Sequence, residues 1–442
     1  MKEKIRIGGG AGFSGDRIEP AVLLAEKGGL DYLVLECLAE RTIALAQKRK
    51  MADPSKGYDP LLEKRIMTLL KPLVINNTRL ITNMGAANPV EAAKRIVEIA
   101  REQKVKIKVA AITGDDVLEI IQQKSPFICD LENNMPLTSY RVISANAYLG
   151  SGPIVEALKT GAHIIITGRV ADPSLFLAPM IYEFGWDESD YNLMGKGTII
   201  GHLMECAGQI TGGYFADGVL KKVEGLENLG YPFADIFEGG TAVISKIENT
   251  GGVVNLHTAR EQLLYEVMNP SEYFTPDVVA DFTTVYLEEA GKDKVHFSGG
   301  GGRPRPSTYK VSIGYKAFFL GEGEISYAGF AAFERAQLAA GIIEKRLQSR
   351  LRDVRTDFIG IQSMHKTIFD KKALPYEVRL RVAAKAETEA EAALVGEEVE
   401  ALYTNGPAGG GGARKYVKEV IGIVSTLLDR NSVFPQIKIF ES

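Results

Sequence analysis

The chain is poor in the residues that staple or bridge a fold. Among its 442 residues are 3 cysteines, 5 histidines and 1 tryptophan. Cys37, Cys129 and Cys206 are odd in number and far apart, which argues against a disulfide framework and for a reducing compartment. His163, His202, His257, His296 and His365 share no ligand spacing, so no metal site is expected. Excess charge is also missing. A formal net charge of −4 supplies no basic field for nucleic acid or a membrane surface. No apolar run reaches membrane-spanning length, and the opening MKEKIRIGGG lacks a signal-like apolar stretch. The expectation is a cytoplasmic globular protein of two or three domains.

What is present is an alternation. Short apolar runs (KIRIG, DYLVLEC, RLITNMG, KIKVAAIT, PFICDL, RVISANAYLG, AHIIITG) are separated by amphipathic stretches such as NPVEAAKRIVEIAREQ. That pattern predicts an α/β fold with a mostly parallel sheet covered on both faces. Uneven strand spacing favours an open, doubly wound sheet over a parallel barrel-like domain. Residues 1–223 are expected to form this domain and carry the main site. Residues 224–307 form a connecting strand and helix region, and 308–442 a smaller C-terminal α+β domain. SGGGGRPRP marks the boundary as a stretch no regular element tolerates, and STYKVSIGYKAFFLGEGEISYAGF reads as a hairpin turning at GEGE.

The opening IRIGGGAGFSGDRIEP places Gly10, Gly12 and Gly15 in G-x-G-x-x-G spacing after a strand. A dinucleotide fingerprint needs its helix N-terminus aimed at pyrophosphate. Asp16 reads as an N-cap and Pro20 as a first-turn residue, so a carboxylate occupies the place of the phosphate. A turn over a different pocket is the preferred reading.

Ligands of parallel α/β sheets bind beyond the carboxyl ends of the strands. The loops there carry Glu36, Glu40 and Arg41, then Asn83, Gly85 and Asn88, then Asp115 and Asp116, then Thr167, Gly168, Arg169 and Asp172. Arg169 can hold an anion bidentately or pair with Asp172, itself a possible helix cap. Asn88 before Pro89 reads as an N-cap. Glu40 and Arg41 read as a first-turn pair. In GHLMECAGQITGGYFADG, His202, Glu205, Cys206 and Gln209 fall near one helix face, which suits acid–base work by His202 and Glu205. Thr211, Gly212 and Gly213 follow. Arg303, Arg305, Arg414 and Lys415 beside glycine clusters could grip an anion.

TNMGAANP, ITGRVADPSL and HLMECAGQITGGYFADG resemble the acyclic terpene utilisation AtuA family from Ile5 to about Phe330. The matching residues are Asn83, Gly85, Asn88, Thr167, Gly168, Arg169, Asp172, His202, Glu205, Cys206, Gln209, Thr211, Gly212 and Gly213. The resemblance implies bacterial breakdown of branched terpenoids through coenzyme A thioesters. It brings no catalytic assignment and no cofactor. The leading expectation is a lyase or hydratase acting on a small carboxylate or acyl-CoA. Glu36, His202 or Glu205 would move protons, and Arg169 with the glycine-loop amides would hold the anionic end. The alternatives are a dinucleotide-dependent oxidoreductase and a non-catalytic subunit or small-molecule binder. A homo-oligomer is expected, because AAFERAQLAAGIIEKRL or the adjoining hairpin would pack against a partner; a small partner subunit is also compatible.

Overall fold

In the computed structural model, residues 2–124, 127–365 and 375–442 are described. Two compact units emerge, Met1–Gly314 with Ile423–Ser442, and Tyr315–Gly422. The chain runs β1 (Lys4–Ala11), α1 (Glu19–Lys27), β2 (Tyr32–Leu35), α2 (Glu40–Ala52), α3 (Leu62–Ile75), β3 (Arg79–Thr82), α4 (Pro89–Glu102), β4 (Lys108–Thr113) and α5 (Leu118–Lys124). It continues through β5 (Val142–Ala147), α6 (Gly152–Lys159), β6 (Ile164–Thr167), α7 (Ser174–Phe184) and α8 (Tyr191–Glu205). Next come β7 (Pro232–Phe237), β8 (Ala242–Lys246), α9 (Leu256–Leu264), β9 (Tyr273–Phe274), β10 (Val279–Asp281), β11 (Tyr286–Gly291), β12 (Lys294–Ser298) and β13 (Gly301–Arg303). The remainder is β14 (Thr308–Ala328), α10 (Ala332–Leu347), β15 (Arg352–Ile359), β16 (Glu377–Ala386), α11 (Glu389–Asn405), β17 (Gly411–Asp429) and β18 (Gln436–Glu441).

The first unit is built on an open ten-stranded sheet ordered β11-β12-β8-β7-β1-β2-β3-β6-β4-β18. The pairs β1–β2, β2–β3, β3–β6 and β6–β4 are parallel. The strands β7, β8, β12 and β11 add antiparallel on one side, and β18 adds antiparallel to β4 on the other. The sheet is therefore mixed, with a parallel centre, and no barrel closes. Helix α4 buries Ala92, Ala93, Ile96, Val97, Ile99 and Ala100 along one stripe, the spacing that made it legible. Those residues join Leu24, Leu33, Leu35, Ile66, Leu69, Leu80, Val109 and Ile166 in one core.

Several expectations are corrected. Residues 232–298 are not a connecting region, since β7, β8, β11 and β12 belong to the main sheet. The unit boundary falls at Tyr315 rather than 308, and β18 returns to the first unit. The SGGGGRPRP stretch does hold a short strand, β13, paired with β10. Glycine is needed there because a Cβ added at Gly302 would meet the Tyr191 carbonyl at 2.5 Å, and Gly195 of α8 is needed in turn because its Cβ would meet the Gly301 carbonyl. The described residues 127–131 of PFICDL form no strand, Cys129 making only an isolated bridge to Pro136, and Pro126 lies outside the described residues. The GEGE segment does not turn. β14 runs straight through it, because Gly321 and Gly323 let α11 approach closely; added Cβ atoms would meet the Ala392 carbonyl and Val399. The second unit packs α10 and α11 on β15-β16-β14-β17. The apolar face of α10 (Phe333, Ala336, Ala339, Ile343, Leu347) is consumed there, so it offers no ground for an oligomer. No helix among the described residues is long and apolar enough to cross a membrane.

Candidate active site

Because β1, β2, β3, β6 and β4 are parallel, their carboxyl ends share one edge, and the loops expected to meet do so. Glu36 follows β2 and is 7% exposed. Its Oε1 accepts from the Leu38 amide at 2.9 Å and from Asn83 Nδ2 at 2.8 Å. Asn83, after β3, accepts in turn from the Cys37 amide at 2.7 Å. Burial, with the Asp172 carboxylate nearby, pushes the Glu36 carboxyl up to about 8, against the opposing charge of Arg169. A carboxylic acid is thus held near neutrality at the end of a buried strand.

Arg169, after β6, is 1% exposed. Its Nε donates to the Val170 carbonyl at 2.8 Å, and its terminal nitrogens donate to the Leu38 and Val170 carbonyls and to Asp172. The guanidinium also lies 4.6 Å from the Tyr148 ring centre. Nearly all its donors are used within the protein, so it serves to fix Asp172 and the Glu36 loop rather than to project from a rim. Asp115 accepts from the Arg169 amide and from Asn146 Nδ2, both at 2.9 Å, and burial pushes its carboxyl up to about 6. Gly168 makes room for that carboxylate, which an added Cβ would meet at 2.5 Å. Asp116 is the capping partner, accepting from the Leu118 amide at 3.2 Å.

His202 and Glu205 close the cluster from α8. His202 Nε2 lies 3.0 Å from the Gln262 carbonyl, which can only accept, so Nε2 carries the proton. Burial lowers the imidazole to about 4, leaving it neutral, and its Nδ1 then accepts. The Glu205 carboxyl lies 2.9 Å away and must donate. Burial, with Asp172 and Glu266 nearby, raises Glu205 well above the carboxylate range, which fits this protonated form. Glu205 Oε2 and Gln209 Nε2 are buried without a partner among the described residues. Tyr273 and Phe282 pack against the imidazole at 5.6 and 5.5 Å between ring centres.

Other expected residues take different places. Asp16 is not the N-cap of α1; Ile18 occupies that position without a side-chain cap. The Asp16 carboxylate instead accepts from the Gly12 and Phe13 amides at 2.7 and 3.3 Å, filling the loop's anion position. Calorimetry is therefore expected to find no saturable binding of NAD or NADP at micromolar concentration. Gly10 faces Leu33, Leu35 and Ala21 in the core, Gly12 abuts the Cys206 backbone, Gly15 abuts the Phe13 ring, and Gly85 abuts the Thr167 carbonyl. Gly12 and Gly85 let backbones approach, and Gly10 and Gly15 make room for side chains. Asn88 holds the N-cap position, but its amide donates to the Pro54 and Lys56 carbonyls. Glu40 accepts from Tyr148 and Lys310, both at 2.7 Å, rather than pairing with Arg41. The Thr167 and Thr211 hydroxyls donate to the Gly168 and Gly208 carbonyls. Gly212 adopts φ 106°, a conformation that favours glycine, and the Gly213 amide donates to the Gly208 carbonyl at 2.9 Å. Arg303, Arg305 and Lys415 pair with Glu272, Glu188 and Glu400.

Tyr148, Gln262, Glu266 and Tyr273 belong to the site and were missed. Tyr148 closes ISANAYLG, so the strand-end rule could have found it. Gln262, Glu266 and Tyr273 come from a segment without any site-like pattern. No group of three or more metal-ligating side chains occurs among the described residues.

A family model described as acyclic terpene utilisation family protein AtuA matches residues 5–439. No curated protein matches the sequence.

Proposed function

We propose, for a chain that belongs to the acyclic terpene utilisation AtuA family, a catabolic enzyme of the lyase or hydratase type that acts on an acyl thioester. The observation that carries the reading is the buried Glu36 carboxyl, held by the Leu38 amide and Asn83 near an Asp172 paired with Arg169; burial pushes it up to about 8. A proton donor and an acceptor of different charge at one place are what elimination and addition of water require. In elimination, neutral Glu36 protonates the leaving hydroxyl as the C–O bond breaks. Asp172, whose side chain keeps 39% of its surface, takes the proton from the adjacent carbon, and the double bond forms between the two. Addition runs the same steps backward. Gln209 Nε2, a buried donor without a partner among the described residues, would donate to the thioester oxygen, where enolate charge develops. Glu205 spends its proton on His202 Nδ1 and leaves Oε2 as an acceptor. A neutral thioester suits this acid-rich place better than a free carboxylate, which Asp172 and Glu266 repel. Assembly as a homo-oligomer and a cytoplasmic location belong to the same proposal.

The test incubates the protein in deuterated water with a panel of 3-hydroxyacyl and 2-enoyl thioesters and follows the mass of each. Enzyme-dependent deuterium uptake or interconversion of the pair is expected for at least one chain shape. Neither event with any member of the panel would remove the lyase reading.

A further inference from the structure

A second feature lies beside the acid cluster. A cavity of about 760 Å³ is lined by residues that include Phe215, Lys222, Arg260, Leu264, Tyr265 and Glu266. That size suits a small-molecule ligand. Glu266 belongs to both places: it lines the cavity, and its charge bears on His202, Glu205 and Tyr273. The lining is chemically two-sided. Phe215, Leu264 and Tyr265 supply apolar and aromatic surface. Lys221 is paired with Glu261 at 2.6 Å, whereas Lys222 and Arg260 form no ion pair among the described residues. Lys221 lies over the Phe215 ring at 4.8 Å, and Glu261 and Glu266 also line the cavity, so Lys222 and Arg260 are the two cations left for an anion, beside the Tyr265 ring that could take a flat group. The backbone supports a formed site. Glu266 and Tyr214, whose ring meets Tyr265 at 6.0 Å between centres, both take positive φ, 59° and 61°. Such conformations are costly for bulky residues and collect at ligand sites.

We propose that this cavity binds the phosphorylated nucleotide end of an organic ligand, with Lys222 and Arg260 on phosphate and Tyr265 against the base. The inference deepens the proposed function, because such a ligand would lead its acyl end past Glu266 toward Asp172 and Glu205, on which that carboxylate bears. It rests on that reading only for this direction; the nucleotide site stands on the cavity alone.

The test is therefore one of binding. The full chain is titrated calorimetrically with adenosine 3′,5′-bisphosphate, and in separate arms with adenosine and with inorganic phosphate. Saturable binding of the bisphosphate is expected, weakening as salt rises, with each fragment at least about tenfold weaker. The double variant Lys222→Gln, Arg260→Gln should weaken the bisphosphate about tenfold with an unchanged melting temperature, both residues being exposed. Glu36→Gln should bind it as the parent does. That keeps the two proposals separable: loss of turnover with intact nucleotide binding would leave this site standing, and binding without turnover on any thioester would overturn only the reaction. Absence of saturable binding, or wild-type affinity in the folded double variant, would overturn the nucleotide site. Should the double variant unfold, Lys222→Glu alone, read by the same titration, decides.

Discussion

Replacing Glu36 by glutamine is expected to lower kcat by about 10²- to 10⁴-fold, the usual contribution of a general acid or base. Glutamine keeps a carbonyl that can accept from the Leu38 amide and Asn83 Nδ2, so the loop should hold its shape. What is lost is the transferable proton. The same substitution has a stability signature with a definite sign. Burial raises the Glu36 carboxyl from 4.5 to about 8. Between those values the unfolded chain gives up the proton while the folded protein keeps it. Stability from this group is full below 4.5 and is lost as pH rises, by about 1.4 kcal/mol per pH unit, until the folded protein also ionises. The parent should thus lose stability to alkali more steeply than Glu36→Gln across pH 5 to 8. Urea midpoints for both proteins at pH 5, 6.5 and 8 measure the difference, and parallel curves would show that Glu36 is not held protonated. Rate profiles give the independent reading. Parent activity should change with an apparent ionisation near 8, absent from any residual activity of the variant.

The parallel half of the sheet was legible because its strands are short, apolar and separated by amphipathic helices, and because the strand-end rule needs only strand direction. It brought Glu36, Asn83, Asp115, Arg169 and Asp172 to one edge without knowledge of pairing order. The antiparallel additions were not legible: β7 and β12 alternate, β8 is mostly buried and β11 mostly exposed, and nothing local tells which sheet a strand will join. Glycine misled twice. In GEGE it suggested a turn, and in SGGGG a break. At Gly321 and Gly323 the absent side chain serves close packing by α11, a tertiary demand that leaves no local trace. The His202 and Glu205 spacing suggested acid–base work, but its meaning depended on Gln262, sixty positions away, whose carbonyl fixes the imidazole proton. Charge alone could not have revealed that both groups are neutral.

Arg169 gives the second large effect, and it is one of stability. The sequence left two roles open, an anion clamp or a partner of Asp172. In the folded protein the guanidinium is buried and joined to Asp172 and to the Leu38 and Val170 carbonyls. Removing the buried guanidinium leaves the Leu38 and Val170 carbonyls without a donor and the partly exposed Asp172 without its partner, at a cost of about 1–3 kcal/mol. Arg169→Met, which keeps much of the stem's volume, should lose stability in that range by urea denaturation at pH 7. Arg169→Lys should lose less, since an ammonium restores charge but cannot reach three separate acceptors from one planar fork. Asp172→Asn strands the arginine's charge but retains an acceptor, and should fall between the parent and Arg169→Met. The pair is coupled through one contact, so the double variant Arg169→Met, Asp172→Asn should cost less than the sum of the singles. An additive cycle, with Arg169→Met close to parental stability but unable to bind thioester, would instead return Arg169 to the role of an anion clamp.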